Sequence, residues 1–260
     1  MAEKLQIIAG LFHNEPGYSN ALNEFTWSVR QNSDFWQHAV LYLDPKCADI
    51  ASRYKSSFKR IIIDDTFPEV VRNKPKWNCK GWWSYRGVQE FGRVLFCDFD
   101  IFVRKLPDDF LDKMLVKGPR FLFMPGYPGP NKIVGCGCAY YDAHCDWDKY
   151  LPLIFNKWNC DERAWTETMK VSRDTYEQSP LHMNPYIVNY DWILEDKENR
   201  REHPYIIHGL SSIGWGRSIL RGIGYTESQI KFKNTALEEI RYWIHVVRVK
   251  LFGKSQNCHW

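Results

Sequence analysis

Two aspartates one residue apart, Asp98 and Asp100, lie within the otherwise apolar segment VLFCDFDIFV at residues 94–103. On a strand, side chains at this spacing share one face, so we expect both carboxylates to point the same way. Two such acids repel each other and are costly to bury, unless the strand ends there or a divalent cation binds between them. Because Mg²⁺ and Mn²⁺ prefer carboxylate and phosphate oxygens, the pair predicts a metal site that can stabilise a departing diphosphate.

The apolar runs along the chain predict the elements that position this pair. Four runs are typical of strands, at residues 5–12, 39–43, 60–64 and 93–103, and helical patterns occur at 18–29, 81–91 and 107–116. This alternation predicts an α/β fold, in which a mostly parallel sheet is covered on both faces by helices. Sheets of this kind bind ligands beyond the carboxyl ends of their strands, where we expect the two acids to lie.

The second half of the chain is less regular. Residues 121–141 are rich in glycine and proline and lead into a short predicted strand, CAYYD, at 138–142. A helix is predicted at 161–170 and a late strand at 205–208. We expect one α/β domain over residues 1–234, followed by an amphipathic helix and tail over residues 235–260.

The segment KWNCKGWWSYRGVQEFGRVLFCDFDIFVRKLPDDFL, residues 76–111, resembles the metal-binding segment of GT-A glycosyltransferases. The resemblance is to the glycogenin-like and bacterial polysaccharide-assembly types, and it implies a GT-A, Rossmann-like fold. It implies that Asp98 and Asp100 hold Mn²⁺ or Mg²⁺ against the diphosphate of a sugar nucleotide. It further implies that Lys80, in the helix before the strand, reaches the donor.

Other parts of the chain match this family in the same order. The first strand and its loop would meet the nucleoside, and GCGCAYY at residues 135–141 resembles the strand that faces donor and acceptor. YIIHGLSSIGWG resembles a late strand ending in the third metal ligand, here His208, and Arg217 stands near the place of the family's phosphate-binding lysine. The implied donor-binding residues are Gly10, Leu11, Phe12, Lys80, Cys97, Asp98, Gly137 and Arg217.

The resemblance implies transfer of a sugar from a UDP- or GDP-sugar to a hydroxyl of a glycan, a lipid-linked saccharide or a protein. Asp161 and Glu162, after a Trp-Asn-Cys turn, are the candidate catalytic carboxylates by position. An inverting transfer needs such a base near the acceptor hydroxyl, whereas a retaining transfer does not require one. The two acids also suit the first turn of a helix with no catalytic role, and the sequence leaves both readings open.

Composition narrows the classes of partner. Lys and Arg total 35 against 31 Asp and Glu, and the formal charge of +4 is too small to indicate nucleic acid. It suits a nucleoside diphosphate or weak attraction to an acidic membrane. The N-terminus shows no signal-peptide pattern and the sequence no long apolar span, so we expect a cytoplasmic protein. The 8 cysteines include no C-x-x-C pair, which favours reduced thiols over structural zinc.

Two other functions fit part of the pattern. Paired aspartates on an apolar strand also occur in phosphatases of the haloacid-dehalogenase type, where the first is the nucleophile and the second the acid. In those enzymes the motif normally lies on the first strand and not near residue 98. An inactive carbohydrate-binding domain of the same fold is the second alternative, with Trp82, Trp83 and Trp215 as candidate sugar platforms.

The C-terminal segment TALEEIRYWIHVVRVKLFGK combines apolar residues at helical spacing with Arg241, Arg248, Lys250 and Lys254. We expect its apolar face to pack against the domain. The alternative is a peripheral anchor on acidic lipid, which suits an enzyme that extends lipid-linked glycans.

Overall fold

A computed structural model of the chain describes residues 6–11, 16–31, 38–72, 79–99, 101–103, 117–123, 134–170, 187–189 and 206–208, and the single positions 226, 240, 243, 244, 247 and 251. The chain divides into two compact units. The first comprises residues 1–14, 34–98 and 108–184, and the second comprises residues 15–33, 99–107 and 185–260. The predicted boundary after residue 234 stays a prediction.

The first unit is built on a six-stranded sheet in the order β3-β2-β1-β4-β7-β6. Strands β1 to β4 are mutually parallel, β7 is antiparallel to β4, and β6 is antiparallel to β7. This is the mixed α/β, mostly parallel sheet that the sequence predicts. The strands are β1 Gln6–Leu11, β2 Ala39–Leu43, β3 Arg60–Ile63, β4 Arg93–Cys97, β6 Arg120–Phe123 and β7 Val134–Asp142.

The helices of the first unit lie in the chain between its strands and after β7. After β2, Asp44 caps a 3₁₀ helix, Pro45–Ile50, which runs into α2, Ala51–Tyr54, and α3 spans Glu69–Arg72. The longest helix of the unit, α4, spans Cys79–Phe91 and leads into β4. After β7 come α5, Trp147–Pro152, a π-helical turn, Leu153–Lys157, and α6, Asp161–Met169.

Aromatic side chains dominate the core of the first unit, as expected from their frequency in the sequence. Tyr150 and Trp165 stack with ring centroids 4.1 Å apart, and Trp147 packs edge-on against both. Trp83 is 2% exposed and lies in the same core, so it cannot act as a sugar platform. Trp82 is half-buried against Tyr85 and Phe155.

The second unit contains α1, Pro16–Gln31, and a three-stranded sheet in the order β5-β9-β8. Its strands are β5 Ile101–Val103, β8 Ile187–Asn189 and β9 Ile206–His208. The α1 helix packs against β5, and its Phe25 lies with its ring centroid 6.0 Å from that of Phe99. The late strand expected at 205–208 is confirmed as β9.

Two sequence predictions about strands are wrong. The expected single strand at 93–103 is two strands in different sheets, because the chain leaves β4 at Cys97, turns at Phe99 and re-enters a sheet at Ile101. Asp98 therefore follows β4 and is not part of a strand, and Asp100 lies outside the described residues. The region assigned mainly to loop before 138 contains β6 and the first half of β7, and all nine β7 residues are buried.

Among the described residues, no helix is both long and apolar enough to cross a membrane. The five described positions of the C-terminal segment are helical, as the sequence predicts.

Candidate functional site

Asp98 lies at the edge of the sheet where the parallel strands end. Its backbone N–H donates to the carbonyl of Gly137 over 2.7 Å, which continues the β4–β7 ladder one residue beyond Cys97. Because β7 runs antiparallel to β4, its first residues reach this same edge. The Asp98 side chain keeps 22% of its surface exposed, so its carboxylate can meet a ligand from solvent.

Lys80, in the first turn of α4, forms an ion pair with Asp98. Burial by itself would lower the pKa of Lys80, but the charges of Asp98, Asp161 and Glu162 outweigh it and raise this pKa well above its ordinary value. The ammonium group is therefore charged throughout the physiological range. The structure thus brings the predicted donor-binding lysine to the first aspartate of the motif.

Asp161 and Glu162 occupy the first turn of α6, where the helix dipole favours negative charge. Asp161 is only 2% exposed, and its Oδ1 atom has no hydrogen-bond partner among the described residues. Burial raises the pKa of Asp161 well above its ordinary value, the neighbouring Glu162 raises it further, and Lys80 opposes the rise. The Asp161 carboxyl group therefore has a higher pKa than a solvent-exposed aspartate, which makes its carboxylate a stronger base.

Cys160 precedes these two acids and completes a compact group of ligand atoms. Within the part of the chain that the structure describes, the Cys160 Sγ and the carboxylate oxygens of Asp161 and Glu162 lie within 4.8 Å of one another. The Cys160 thiol donates to Glu162 Oε2 over 2.7 Å. Burial, followed by the charge of Glu162, raises the pKa of Cys160 to about 12, so the thiol is protonated at neutral pH.

Three buried aromatic side chains, Trp147, Tyr150 and Trp165, pack against one another in the helices that carry and adjoin this cluster, and we call them the aromatic wall. Tyr150 is fully buried, its hydroxyl lacks a partner among the described residues, and the charge of Asp161 contributes to its raised pKa after burial. A Cβ added at Gly81 would come within 1.9 Å of the Tyr150 hydroxyl. Glycine at this position, next to Lys80, therefore lets the first turn of α4 approach the wall.

Asp98 and Asp161 each carry oxygen atoms of the kind that binds a hard divalent cation, although the compact ligand group among the described residues is Cys160, Asp161 and Glu162, without Asp98. Asp98 supplies a partly exposed carboxylate, and Asp161 supplies a buried carboxylate oxygen that lacks a partner within the described ranges. Oxygen ligands of this kind are those that Mg²⁺ and Mn²⁺ prefer. The protonated Cys160 thiol is a poor ligand for such ions, which leaves the carboxylates as the fitting donors.

Six other predicted site residues fall in three groups. Gly10 and Leu11 end β1, and a Cβ at Gly10 would lie 2.1 Å from the Trp83 ring, so close packing requires glycine there. His208 ends β9 in the second unit, and only its backbone is described. Phe12, Asp100 and Arg217 lie outside the described residues.

Two predicted donor-binding residues adjoin Asp98: Cys97 precedes it in the chain, and Gly137 lies opposite it on β7. The Cys97 side chain is fully buried, and its Sγ lies 3.9 Å from that of Cys138 on the facing strand. Burial, followed by the Cys138 thiol, raises the pKa of Cys97 well above its ordinary value. A donor could therefore meet only the backbone of Cys97, and its thiol belongs to the core.

Sequence reasoning missed Cys160 and Tyr150 as neighbours of the candidate site. Cys160 could have been noticed as the residue before two acids at a helix start. Tyr150 carries no such signal, because its position beside Asp161 arises from the packing of α5 against α6.

A scan against protein-family models gave no match, and a search of curated proteins gave none either. Solved structures do match. Mouse xyloside xylosyltransferase 1 in its apo form has a TM-score of 0.51 and 10% identity, with 79% of this chain and 97% of that chain covered. GlyE of Streptococcus pneumoniae TIGR4, an apo-form glycosyltransferase, has a TM-score of 0.51 and 12% identity over 97% of this chain.

A third solved structure, the bifunctional glycosyltransferase WbbM, has a TM-score of 0.53 and 9% identity over 94% of this chain. The chain spans 64% of the length of GlyE and 52% of that of WbbM. At these identities the similarity concerns the fold, which is that of the mixed α/β sheet described above. The chain has a GT-A-like glycosyltransferase fold.

Proposed function

We propose that this protein is a metal-dependent glycosyltransferase that moves a sugar from a nucleoside-diphosphate sugar to a hydroxyl acceptor. The observation that carries the proposal is the charged cluster of Lys80, Asp98, Asp161 and Glu162 at the carboxyl edge of the sheet. Its acids come from the residue after β4 and from the start of α6, so the fold gathers groups that are far apart in sequence. A cluster of strongly perturbed titratable groups is typical of a functional site.

The balance of charge in the cluster supports an anionic donor held with a cation. Three acidic side chains act on one ammonium group, and the raised pKa of Asp161 reflects a crowding of negative charge that a divalent cation would relieve. A cation at Asp98 would compete with Lys80 for the same carboxylate. The released ammonium would then be available to a phosphate of the donor, which is a role that suits the compact charge of lysine.

The transfer breaks the bond between the anomeric carbon and the diphosphate oxygen and forms a bond from that carbon to the acceptor oxygen. Asp161, with its raised pKa, or its neighbour Glu162 would take the acceptor hydroxyl proton in an inverting transfer. In a retaining transfer the departing phosphate takes that proton. In either case Lys80 orients the diphosphate, and the buried aromatic wall holds α6 and its acids in place.

Asp98 would hold a bound Mn²⁺ or Mg²⁺, which supplies neutralisation of the diphosphate as it leaves. The family resemblance adds Asp100 and His208 as ligands, and these two assignments stay predictions. We further propose UDP- or GDP-sugars as donors and a glycan or lipid-linked saccharide as acceptor, in a cytoplasmic pathway of polysaccharide assembly.

The fold weighs against the phosphatase alternative. The paired aspartates of that class belong to the first strand of its sheet, whereas Asp98 follows β4, which lies between β1 and β7. The three solved structures reported above are glycosyltransferases. Fold alone does not assign activity, so the alternatives enter the experiment as competing outcomes.

The test is release of nucleoside diphosphate from a panel of sugar nucleotides, with Mn²⁺, with Mg²⁺ and with a chelator. We expect metal-dependent turnover of at least one donor, and a loss of roughly 10²–10³-fold in Asp98→Asn, because one electrostatic stabiliser of the leaving group is removed. Asp148→Asn is the matched control, since Asp148 is exposed and lies in the same unit.

Three results would contradict the proposal. Metal-independent turnover that Asp98→Asn leaves intact would remove Asp98 from the mechanism. Release of phosphate from an aryl phosphate, with no reaction on any sugar nucleotide, would favour the phosphatase. Donor binding without turnover in the presence of varied acceptors would favour the inactive carbohydrate-binding domain.

A further inference from the structure

Five large apolar side chains near the C-terminus are exposed. Their exposed fractions are 56% for Ile240, 59% for Trp243, 62% for Ile244, 51% for Val247 and 69% for Leu251. We expected this apolar face to pack against the domain, whereas more than half of each of these five side chains is exposed. The finding is independent of the charged cluster in the first unit, and so is the inference drawn from it.

The spacing of these residues places them on one side of a helix. All five positions are helical, and they follow one another at i, i+3, i+4, i+7 and i+11. At about 100° per residue, an α-helix with this spacing would place these five side chains along one face. We name it the C-terminal apolar face, consisting of Ile240, Trp243, Ile244, Val247 and Leu251. A contiguous exposed apolar face of this kind marks an interaction surface.

The charge of the surrounding sequence indicates which partner this face fits. Residues 235–254 carry four basic side chains, Arg241, Arg248, Lys250 and Lys254, against two acidic ones, Glu238 and Glu239, which both lie before Ile240. Helices that combine an apolar face, a tryptophan and basic residues lie in the interface of membranes with anionic lipids. Apolar side chains enter the boundary between headgroups and acyl chains, while basic side chains meet lipid phosphates.

A second copy of this chain fits the same face less well. Joining two C-terminal segments would bring eight basic side chains together with four acidic ones, which leaves a net charge of +4 at the contact. Like charges at such a contact repel each other. An anionic lipid surface satisfies both the apolar stripe and the positive charge.

We propose that the C-terminal apolar face docks this protein onto the surface of a membrane that contains anionic lipids. In this docking the C-terminal segment would lie along the interface and would not cross the membrane. The inference names an interaction surface and its partner, and it holds whether or not the first unit transfers sugars.

The test is cosedimentation of the full chain with vesicles of phosphatidylcholine alone or mixed with phosphatidylglycerol. We expect binding to the mixed vesicles that falls with added salt, since the Debye length shortens. The variant Arg248→Gln/Lys250→Gln should lower the partition coefficient roughly thirty-fold, about fivefold for each basic residue near an anionic surface. The variant Ile240→Ser/Ile244→Ser/Leu251→Ser should abolish binding.

The matched control is Ile63→Ser/Val70→Ser, which removes two apolar side chains that are 49% and 40% exposed in the first unit. This control should bind as the unaltered chain does. Circular dichroism confirms that each variant is folded, and the charge variant tests the proposal even if the serine variant unfolds.

Several outcomes would overturn the proposal. One is no binding of the intact chain to the mixed vesicles. Another is binding that neither salt nor the charge variant weakens. A third is a dimer in size-exclusion chromatography that the serine variant converts to monomer, since a second copy would then cover the face.

Discussion

At the scale of single residues, Asp161 has a position that favours function over stability. It is 2% exposed, its Oδ1 lacks a partner among the described residues, and its pKa is raised first by burial and then by Glu162. A folded-state pKa above the unfolded value of about 3.9 means that the folded protein binds this proton more tightly. The resulting stabilisation is present at low pH and is lost as the pH rises above that value.

This linkage predicts the effect of Asp161→Asn on stability. The variant should be more stable than the unaltered protein at neutral pH, where the buried carboxylate is unfavourable, and the gain should disappear towards pH of about 4. The measurement is the free energy of unfolding by urea across this pH range. Activity in the donor-turnover assay should fall in the same variant.

Glu167 provides a control of opposite sign. Hydrogen bonds from Lys157 and Trp158 lower its pKa, so its contribution is present at neutral pH and is lost as the pH falls. Glu167→Gln should therefore be less stable at neutral pH. If Asp161→Asn behaves like Glu167→Gln, the account of Asp161 as a disfavoured buried carboxylate is contradicted.

At the scale of elements, the contact between α4 and α5 depends on the absence of a side chain at Gly81. Glycine inside a helix normally costs about 1 kcal/mol relative to alanine, so Gly→Ala would ordinarily stabilise. Here the new Cβ would lie 1.9 Å from the Tyr150 hydroxyl and 2.8 Å from Cζ of the same ring. That ring is stacked on Trp165 and has no room to withdraw.

We therefore expect Gly81→Ala to destabilise the protein by roughly 1–3 kcal/mol, the usual cost of overpacking a core. Tyr150→Phe removes the nearest clashing atom and a buried hydroxyl without a described partner, so it should be close to neutral alone. In the Tyr150→Phe background the cost of Gly81→Ala should shrink. Urea unfolding of the four proteins in this cycle measures the coupling, and additive effects would contradict the proposed contact.

The predictable part of the fold is the part with a simple apolar pattern. Strands β1, β2 and β3 and helix α6 match their predictions to within about two residues. The break after Cys97 was missed because the apolar run continues through Phe99, which is 8% exposed and packs near Phe25 in the second unit. The start of β7 was missed because Gly135 and Gly137 suggested a loop, whereas Gly135 pairs with Leu122 of β6 and the Gly137 carbonyl accepts from the Asp98 N–H.

At the scale of the whole molecule, the candidate site consists of side chains that are distant in sequence and are brought together by the fold. Asp98 was predicted from its local pattern, and Lys80, Asp161 and Glu162 from family order and position. Their mutual charge effects could not be predicted, because these depend on how closely α4, β4 and α6 pack and how far they exclude water. The formal charge of +4 suits both an anionic donor and an acidic membrane, and it does not distinguish them.

The central claim is that Asp98 binds a nucleoside diphosphate together with a divalent cation. The most direct measurement is thermal unfolding of the intact chain with UDP or GDP, each with and without Mn²⁺. Ligand at about a hundred times its Kd stabilises by about 2.7 kcal/mol, which raises Tm by roughly 5–10 °C for a chain of this size. We expect this rise only when nucleotide and Mn²⁺ are both present, its loss in Asp98→Asn, and its retention in Asp148→Asn. No metal-dependent rise with either nucleotide, or an equal rise in Asp98→Asn, would contradict the account.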